Sequence, residues 1–448
     1  MNILLISPNT LKVPYPVYPI GLDYVAGSVD ERHRVRIADM NCMDRDELAR
    51  LIADYSPQII GISCRNIDNT DEGDSQYFIR EYRQLVDWLR KRSAAVLVCG
   101  GAGFTIMPDR IFAALGVDFG IIGEGERFGL LVEAIDAGSR PTDIAGVIGA
   151  GAGNELPVPW PGEQVRAFGQ KFSHHRFYAD RGGMLNLQTK RGCSFSCIYC
   201  PYPHIEGKKH RLQPPEKVAA TAMRLQEAGA RYIFITDSAF NSDVRHSLAV
   251  ARALKTAGLH IPWGGFFAPI RLPADYFATM AACGLQHVEF GTESLSPAML
   301  KSYRKPFSPQ DVLIAHDQAR EAGIHTAHYF LLGGPGESTE TVLESLDGIE
   351  HLDRAALFFF IGIRIYPWTG LYDVALAEKK ISERTDLLQP VFYQPDRIDH
   401  ASIRALVTER AAGRANWIVG SGGEQSAQIV EKLHRRGFTG PLWEYLVR

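Results

Sequence analysis

The chain has 448 residues, of which 46% are hydrophobic and 22% charged, and its formal net charge is -3. These values are typical of a globular protein with two or three domains, and the weak charge excludes a strongly basic surface for nucleic acid. The first residues lack the basic start and the cleavage site of a signal peptide. The most apolar run, residues 355–363, is too short to cross a bilayer as a helix. We therefore predict no nucleic-acid partner and no transmembrane segment.

Cysteine usage indicates a reducing compartment. An odd number of cysteines, sparse in a long chain, argues against a disulfide scaffold, so we predict a cytoplasmic protein. Three of them are clustered in one short stretch, whereas the other four are scattered and fall mostly in apolar surroundings typical of small buried hydrophobic residues. The seven cysteines are residues 42, 64, 99, 193, 197, 200 and 283.

The amino-terminal third alternates short apolar runs with helical patterns. Continuous apolar strands separated by helices predict a doubly wound, Rossmann-like parallel sheet covered on both faces. Asp44, with Glu47 three residues later, has the spacing of a capping box and marks one helix start. The predicted strands are residues 2–6, 34–37, 59–63, 96–99 and 119–122.

Small and polar residues follow the predicted strands of this sheet. Parallel sheets bind ligands at the carboxyl ends of their strands, and glycine there lets the backbone approach a ligand closely. Any one of these glycine pairs could equally be an ordinary tight turn, but several such loops at one edge favour a large flat ligand. The candidate ligand contacts are Pro8, Asn9, Ser63, Gly100, Gly101, Gly123, Glu124 and Gly125.

A stretch rich in glycine and proline separates this region from the rest of the chain. Such a composition argues against regular structure, so we predict a linker at residues 146–182 between a first domain at 1–145 and a second at 183–375. Residues 376–448 are predicted to form a small, mostly helical carboxy-terminal segment with amphipathic helices at 401–412 and 426–436. We predict that this segment closes the substrate cavity.

The central region repeats a strand followed by a helix about six times. Each unit is close to the length of a βα repeat, and parallel strands with right-handed crossovers curl into a barrel or partial barrel. We therefore predict a partial (β/α)6 TIM-type barrel with its chemistry at the carboxyl ends of the strands. The first strand, residues 184–189, runs directly into the cysteine cluster.

Three cysteines in this loop have the spacing C-x3-C-x2-C. Thiolates are the usual ligands of iron–sulfur clusters, and three ligands on a four-iron cluster leave one iron open for a cofactor. A zinc site is the alternative, with His204 or His210 as the fourth ligand, although zinc sites usually pair their ligands in two short knuckles. The three cysteines are Cys193, Cys197 and Cys200.

Four charged residues of the barrel are candidates for contacts with a ligand. Asp237 follows the second strand but could instead cap a helix. Glu293 follows a later strand end, where a carboxylate can bind the hydroxyls of a ribose. Arg364 lies within an apolar strand and needs an acceptor, either a ligand carboxylate or a neighbouring acidic residue. Glu337 follows the fifth strand.

The cysteine loop resembles that of the radical S-adenosylmethionine superfamily, including an aromatic residue, Tyr199, before the last cysteine. Residues 330–337 (F-L-L-G-G-P-G-E) resemble the adenine-contacting strand and turn of that family. Residues 365–371 (I-Y-P-W-T-G-L) resemble a late-strand motif of its cobalamin-dependent branch, with Trp368 where glycine is usual. The resemblance implies a [4Fe-4S] cluster on the three cysteines. It implies S-adenosylmethionine contacts from Tyr199, Asp237, Glu293, Leu332, Gly334, Glu337 and Arg364.

The amino-terminal sheet resembles the cobalamin-binding domain that precedes many radical enzymes. The matching stretches are residues 16–27, 100–108 and 117–126. The histidine that ligates cobalt from below in the usual motif is absent, because the corresponding residues are Asp39, Met40 and Asn41. The resemblance therefore implies cobalamin whose lower face carries another residue, water or nothing. A vestigial domain that no longer binds cobalamin is the alternative.

Together the two resemblances imply a cobalamin-dependent radical enzyme that methylates an unactivated carbon of a small or lipid-like natural product. S-adenosylmethionine would serve as both methyl donor and radical source, and an external electron donor of the flavodoxin or ferredoxin type would reduce the cluster. One alternative keeps the cofactors but performs a cyclisation, oxidation or rearrangement without methyl transfer. Another is a non-catalytic module that binds metal or cobalamin.

Overall fold

The structure is a computed structural model that describes residues 1–11, 16–150, 156–167, 175–420 and 432–447. The chain divides into two compact units. The first contains Pro16–Asn69 and Gln76–Phe177 together with the amino terminus, and the second contains Tyr178–Arg448 and the short segment Thr70–Ser75. Within the described ranges, no helix has the length and hydropathy that a membrane crossing requires.

The first unit is built from six strands and seven helices of the described chain. Asp44 caps the second helix as the sequence predicts, with both capping-box hydrogen bonds to and from Glu47 present. The elements are β1 (Asn2–Ser7), α1 (Ile20–Gly27), β2 (Arg34–Asp39), α2 (Arg45–Tyr55), β3 (Ile59–Ser63), α3 (Ile79–Arg90), β4 (Val96–Gly100), α4 (Ala102–Ile106), α5 (Pro108–Leu115), β5 (Phe119–Ile121), α6 (Arg127–Asp136), β6 (Val147–Gly149) and α7 (His175–Ala179).

These strands form one sheet in the order β2-β1-β3-β4-β5-β6. The first five are parallel, and β6 pairs with β5 in the antiparallel direction. β1 lies between β2 and β3, so the chain leaves it in opposite directions, which opens a crevice at the carboxyl ends of these strands. Helices α1 and α6 contribute Leu22, Leu131 and Val132 to the core over Ile3 and Val98.

The second unit is built around seven parallel strands. Its elements are β7 (Met184–Leu187), β8 (Lys190–Arg191), α8 (Tyr202–Ile205), β9 (Arg211–Leu212), α9 (Pro215–Glu227), β10 (Tyr232–Ile235), α10 (Val244–Thr256), β11 (Trp263–Phe267), α11 (Tyr276–Ala282), β12 (Leu285–Glu293), α12 (Pro297–Ser302), α13 (Pro309–Glu321), β13 (His325–Leu332), α14 (Thr339–Ile349), β14 (Ala355–Ile361), β15 (Ile363–Arg364), α15 (Gly370–Ala377), β16 (Phe392–Tyr393), α16 (His400–Ala411) and β17 (Trp417–Val419).

The sheet of the second unit has the order β17-β14-β13-β12-β11-β10-β7, so every strand lies beside the strand of this sheet that precedes it along the chain. Helices cover one face, where Phe330 and Phe359 pack against Val342 and Val407 from α14 and α16. The alternate residues of the strands face the other way and form the concave interior of a partial barrel. This confirms the predicted order of a doubly wound sheet followed by a partial barrel.

The carboxy-terminal 3-10 helix, Leu442–Leu446, packs on the concave face of this sheet. Ala327 and Ala356 are small residues at neighbouring register positions, and Trp443 and Val447 fill the space above them. The end of the chain therefore closes the lower part of the barrel interior.

Some elements differ from those predicted. The predicted linker is not uniformly irregular, because β6 and α7 lie within it. The apolar strand predicted to contain Arg364 is interrupted at Gly362, whose φ of +91° ends β14 before β15 begins. The carboxy-terminal segment also adds β17 to the sheet, where its backbone pairs with β14. The predicted helix at 426–436 falls largely outside the described residues.

Candidate functional site

The cysteine loop begins with a turn that only glycine allows. Gly192 has φ of +86°, and a Cβ added there would lie 2.1 Å from the carbonyl oxygen of Lys209. The next residue, Cys193, donates its backbone N–H to Gly207 at 3.1 Å. The turn around Gly207 and Lys209 thus packs directly against the start of the loop and holds the first thiol in place.

A buried ion pair anchors the strand that enters the loop. Asp237 accepts hydrogen bonds from the Thr189 hydroxyl at 2.6 Å and from Lys190 Nζ at 3.0 Å. Lys190 Nζ also donates to the carbonyl of Ala239 at 2.7 Å. The carboxylate of Asp237 is therefore engaged within the protein. It does not cap α10 either, because Asp243 does so. Its geometry fits positioning of the loop better than the predicted contact with S-adenosylmethionine.

The three thiols are in a partly buried setting. Burial raises the pKa of Cys193 and Cys197 above the usual value and raises that of Cys200 to about 12. All seven cysteines are free. Among the described residues, no three histidine, cysteine or acidic side chains are grouped so as to hold a single metal ion. His204 stacks on Trp368, and His210 hydrogen-bonds Ser242, so neither histidine completes the predicted alternative zinc site.

A buried acid–phenol–amine group lies beside the loop. Glu293 Oε1 accepts hydrogen bonds from the Tyr199 hydroxyl and, at 2.7 Å, from Lys305 Nζ. Burial alone would lower the pKa of Lys305, but the charges of Glu293 and Cys197 raise it. Glu293 has φ of +61°, which is uncommon for a residue with a side chain and directs the carboxylate toward the loop. Lys305 is a site residue that the sequence analysis missed.

The glycine-rich turn after β13 is shaped by its own glutamate. Glu337 accepts from the Gly333 N–H at 3.0 Å and from the Thr341 hydroxyl at 2.6 Å. A Cβ added at Gly334 would lie 2.3 Å from the ring of Tyr303. Leu332 ends the strand below the turn. The turn is thus packed closely against Tyr303, and its hydrogen bonds to Glu337 maintain its shape.

Arg364 satisfies its charge with backbone carbonyls. It is buried and donates to Ile365 and Leu387, both at 2.7 Å. Its predicted partner was a ligand carboxylate or a neighbouring acidic side chain. The bonds to carbonyls tie β15 to the following segment, which is a structural task.

The predicted cobalamin contacts lie at the carboxyl ends of β1, β3, β4 and β5 as expected, but they are not all in one cavity. Pro8 and Asn9 border a cavity of about 230 Å³ at the end of β1, together with Arg65, Asn66 and Tyr82. The other predicted contacts lie at the neighbouring strand ends and turns: Ser63, Gly100, Gly101, Gly123, Glu124 and Gly125.

Close backbone packing explains the glycines of these turns. Gly101 has φ of +112°, and an added Cβ would lie 2.7 Å from the carbonyl of Cys64. Gly125 has no room for a side chain because Val25 lies 2.5 Å from the Cβ position. Glu124 accepts the backbone N–H of Trp160 at 2.5 Å. The packing of these turns against neighbouring protein atoms therefore requires glycine at both positions.

Comparison with known proteins agrees with both parts of this geometry. The B12 binding domain profile matches residues 6–130, and the Radical SAM superfamily profile matches residues 187–349. Together the two profiles match more than half of the chain in the order that the structure shows. The chain belongs to the cobalamin-dependent radical S-adenosylmethionine enzymes. Its cofactors are accordingly a [4Fe-4S] cluster, S-adenosylmethionine and cobalamin.

Relatives of this enzyme include methyltransferases. The tryptophan 2-C-methyltransferase of Streptomyces laurentii is 24% identical over 460 residues, which covers 86% of this chain and 76% of the relative. The cytidylyl-2-hydroxyethylphosphonate methyltransferase of Streptomyces wedmorensis is 23% identical and covers 80% and 79%. The enzyme is thus a cobalamin-dependent radical S-adenosylmethionine methyltransferase.

Solved structures share the fold over nearly the whole chain. The methyltransferase TsrM from Kitasatospora setae, bound to tryptophan and an S-adenosylmethionine analogue, has a TM-score of 0.88 at 22% identity, covering 99% of this chain and 97% of that one. The cobalamin-dependent radical enzyme OxsB has a TM-score of 0.74 at 14% identity, covering 97% and 71%. At these identities the likeness establishes the fold.

The concave face of the enzyme's barrel carries a ladder of aromatic rings. Tyr329 stacks on Phe358 with centroids 4.8 Å apart and the planes at 10°, and Phe360 lies 6.3 Å away at 14°. Phe266, on β11, stays 38% exposed although its strand is inside the sheet. The sequence did not identify these residues as site residues, because an aromatic residue of a substrate site and one of an ordinary buried strand have the same apolar pattern.

Proposed function

We propose that this enzyme transfers a methyl group to a carbon of a small substrate that carries a flat aromatic ring. The observation that supports this most directly is the partly exposed aromatic ladder on the concave face. This class of substrate is narrower than the class predicted from the sequence, a small or lipid-like natural product. Its recognition would come from ring faces, since the Tyr329 hydroxyl is already donated to Glu289 at 2.9 Å.

Three sets of residues are the candidates for holding the cofactors. Cys193, Cys197 and Cys200 would ligate the cluster, because their loop is free of disulfides and fixed on both sides by buried hydrogen bonds. The turn at Gly334 would support the adenine, with Glu293 and Tyr199 beside the loop. When bound, these cofactors and cobalamin supply radical generation and methyl transfer.

The aromatic ladder favours a ring because stacked or edge-on aromatic pairs contribute about 0.5–1.5 kcal/mol beyond the area they bury. An exposed phenylalanine such as Phe266 gives up burial energy in the folded enzyme and recovers it only when a ligand covers it. The names of two similar proteins agree with this class of substrate, since one methylates tryptophan and the other was solved with tryptophan bound.

The free thiols also suit a reducing cytoplasm.

Turnover with labelled methyl donor tests the proposal. The reconstituted enzyme would be incubated anaerobically with trideuteromethyl S-adenosylmethionine and a panel of aromatic amino acids, indoles and aliphatic fatty acids. We expect trideuteromethyl product and S-adenosylhomocysteine only with aromatic members. Methylation confined to the fatty acids would overturn the aromatic assignment. Deoxyadenosine without any methylated product would instead support the cyclisation, oxidation or rearrangement alternative.

Replacement of Phe266 by alanine should weaken use of the aromatic substrate. Loss of one stacking ring is expected to lower kcat/KM by about tenfold, mostly through KM, because a contact of about 1.4 kcal/mol is removed. Steady-state kinetics measures this. Leu343→Ala is a matched control, since Leu343 is an equally exposed hydrophobic residue on α14. Equal kcat/KM in Phe266→Ala and wild type would exclude Phe266 from the substrate site.

A further inference from the structure

A carboxylate is buried beside the aromatic ladder, in the interior of the barrel. Glu289, on β12, is 1% exposed, and its two oxygens accept hydrogen bonds from the Trp443 indole at 3.0 Å and from the Tyr329 hydroxyl at 2.9 Å. Both donors are neutral, and burial raises the pKa of Glu289 above its usual value. Because an acidic group is costly in such a place, packing alone does not account for it.

Further polar groups continue from Glu289 toward the lower end of the barrel. His287 lies two residues earlier on β12, so it faces the same interior, and its Nε2 is 3.8 Å from Glu289 Oε1. Within the described part of the chain, this Nε2 has no hydrogen-bond partner. On the other side of the ring, His287 Nδ1 lies 2.5 Å from the Tyr232 hydroxyl, which donates to Glu444 at 2.8 Å.

This succession of groups ends at solvent. Glu444 Oε2 lies 2.6 Å from Nδ1 of His325, the first residue of β13, and the side chain of His325 is 26% exposed. β13 begins at the end of the barrel opposite the cysteine loop, because its strands are parallel and the loop follows the carboxyl end of β7. We call these groups the polar series, which consists, in order, of Tyr329, Glu289, His287, Tyr232, Glu444 and His325.

The hydrogen bonds assign the proton of His287 to Nδ1. Glu444 is a carboxylate and has no proton to donate, so the Tyr232 hydroxyl donates to it. The contact between that hydroxyl oxygen and His287 Nδ1 is therefore donated by the nitrogen. A neutral imidazole carries one proton, which leaves Nε2 as an acceptor that faces Glu289. His287 is thus arranged to take a proton from Glu289.

We propose that the polar series removes the proton that an aromatic substrate loses when a methyl group replaces a ring hydrogen. The inference rests on the proposed function and adds the route by which the proton leaves the barrel. Tyr329 would touch the substrate, since its ring belongs to the aromatic ladder, and the other five groups act through it. The Tyr329 hydroxyl donates its own proton to Glu289, so its oxygen can accept another from the substrate.

The proposed step balances in atoms and electrons. The ring carbon forms a bond to a methyl group that comes from S-adenosylmethionine, which becomes S-adenosylhomocysteine, and the electron pair of the broken carbon–hydrogen bond stays with the ring. The proton passes to the Tyr329 oxygen as the hydroxyl proton passes to Glu289. Glu289 then passes a proton to His287 Nε2, and the Nδ1 proton moves through the remaining groups to water. The step consumes neither an oxidant nor a reductant.

The fate of the ring hydrogen tests the proposal. The aromatic compound that the substrate panel identifies would be prepared with deuterium on the methylated carbon and turned over anaerobically by the reconstituted holoenzyme. We expect the deuterium in water and none in deoxyadenosine. Deuterium in deoxyadenosine, in proportion to the methyl groups transferred, would overturn the inference and leave the aromatic substrate in place. Methylation of no aromatic compound would overturn the proposed function, and this inference with it.

Variants of two residues of the polar series separate proton removal from substrate binding. Tyr329→Phe keeps the ring that stacks on Phe358 and lacks only the hydroxyl, so kcat should fall about 100-fold or more while KM changes less than about threefold. Glu289→Gln should lower kcat similarly, because a neutral amide does not take up the proton. In both variants the isotope effect of ring deuterium on kcat should increase, since proton removal then limits the rate.

Tyr276→Phe is the matched control for these variants. Tyr276 is a buried tyrosine of α11 whose hydroxyl contacts Ser247 of α10, in the helical layer outside the barrel interior. It should change kcat and the isotope effect by less than about twofold. Wild-type kcat in both Tyr329→Phe and Glu289→Gln would overturn the proposal. An equal fall in the control, or a fall in kcat without a larger isotope effect, would also overturn it, because either result indicates a structural role.

Discussion

Replacement of Cys197 by alanine is expected to remove the iron–sulfur cluster and reduce methyl transfer to background. A cluster held by three thiolates has no spare protein ligand, so loss of one leaves two irons without protein coordination. Iron and sulfide analysis after anaerobic reconstitution should fall from about four of each per chain to a small residue. The broad visible absorbance should disappear with them. Cys193→Ala and Cys200→Ala should behave alike.

Cys283→Ala is the control for the cluster variants. Cys283 is a free, partly buried cysteine at the carboxyl end of α11, outside the cysteine loop. This variant should retain iron, sulfide and activity, and far-ultraviolet circular dichroism should show all four variants folded. Full iron content in any of the three loop variants would show that the cysteine concerned is not a ligand.

Replacement of Glu444 by alanine should have the largest effect on stability. This buried carboxylate accepts hydrogen bonds from Tyr232 at 2.8 Å, Gln286 at 2.7 Å and His325 at 2.6 Å, and it lies 3.3 Å from His287. Removal of one member of a buried charged group costs about 3–5 kcal/mol, because its partners lose their bonds inside the protein. The carboxy-terminal 3-10 helix should therefore detach from the barrel.

Amide hydrogen exchange at the start of β12 and β13 measures this loss. Protection there should fall by the equivalent of about 3–5 kcal/mol in Glu444→Ala and by less in Glu444→Gln, which keeps some hydrogen bonds. Glu383→Ala, at an exposed glutamate, should change protection by less than about 0.5 kcal/mol. Unchanged exchange in Glu444→Ala would show that this network does not hold the end of the chain.

The same network predicts the direction of a pH effect. Burial alone would raise the pKa of Glu444, but hydrogen bonds and charge from His287 and His325 lower it well below its usual value. A lowered pKa stabilises the folded state above the unfolded value of about 4.3, and this contribution is lost as pH falls below it. Wild type should thus lose protection on acidification below about pH 4.3, and Glu444→Gln should lack that component.

Motifs with a local cause could be predicted from the sequence. The capping box of Asp44 and Glu47 forms as expected because both partners lie within one turn of helix. The strand–helix alternation predicted both sheets, since a continuous apolar strand requires cover on two faces. The cysteine spacing places three thiols in one loop, and their role as cluster ligands stays a prediction.

Polar residues at strand ends could not be assigned from the sequence alone. Asp237, Glu337 and Arg364 were offered as contacts for S-adenosylmethionine, yet each makes hydrogen bonds inside the protein. A charged side chain that leaves water must find a partner, and a carboxylate can take either a ligand or a nearby donor. Which donor is near depends on strands that are distant in sequence.

The sequence by itself determined the family and the order of the two folds, because these depend on short motifs and on regular strand–helix alternation. Only the tertiary structure decided that Lys305 lies beside Glu293, that Glu444 anchors the end of the chain, and that aromatic residues of three strands face one interior. These depend on contacts between segments tens to hundreds of residues apart. The physical reason is that register and packing choose partners that no local pattern encodes.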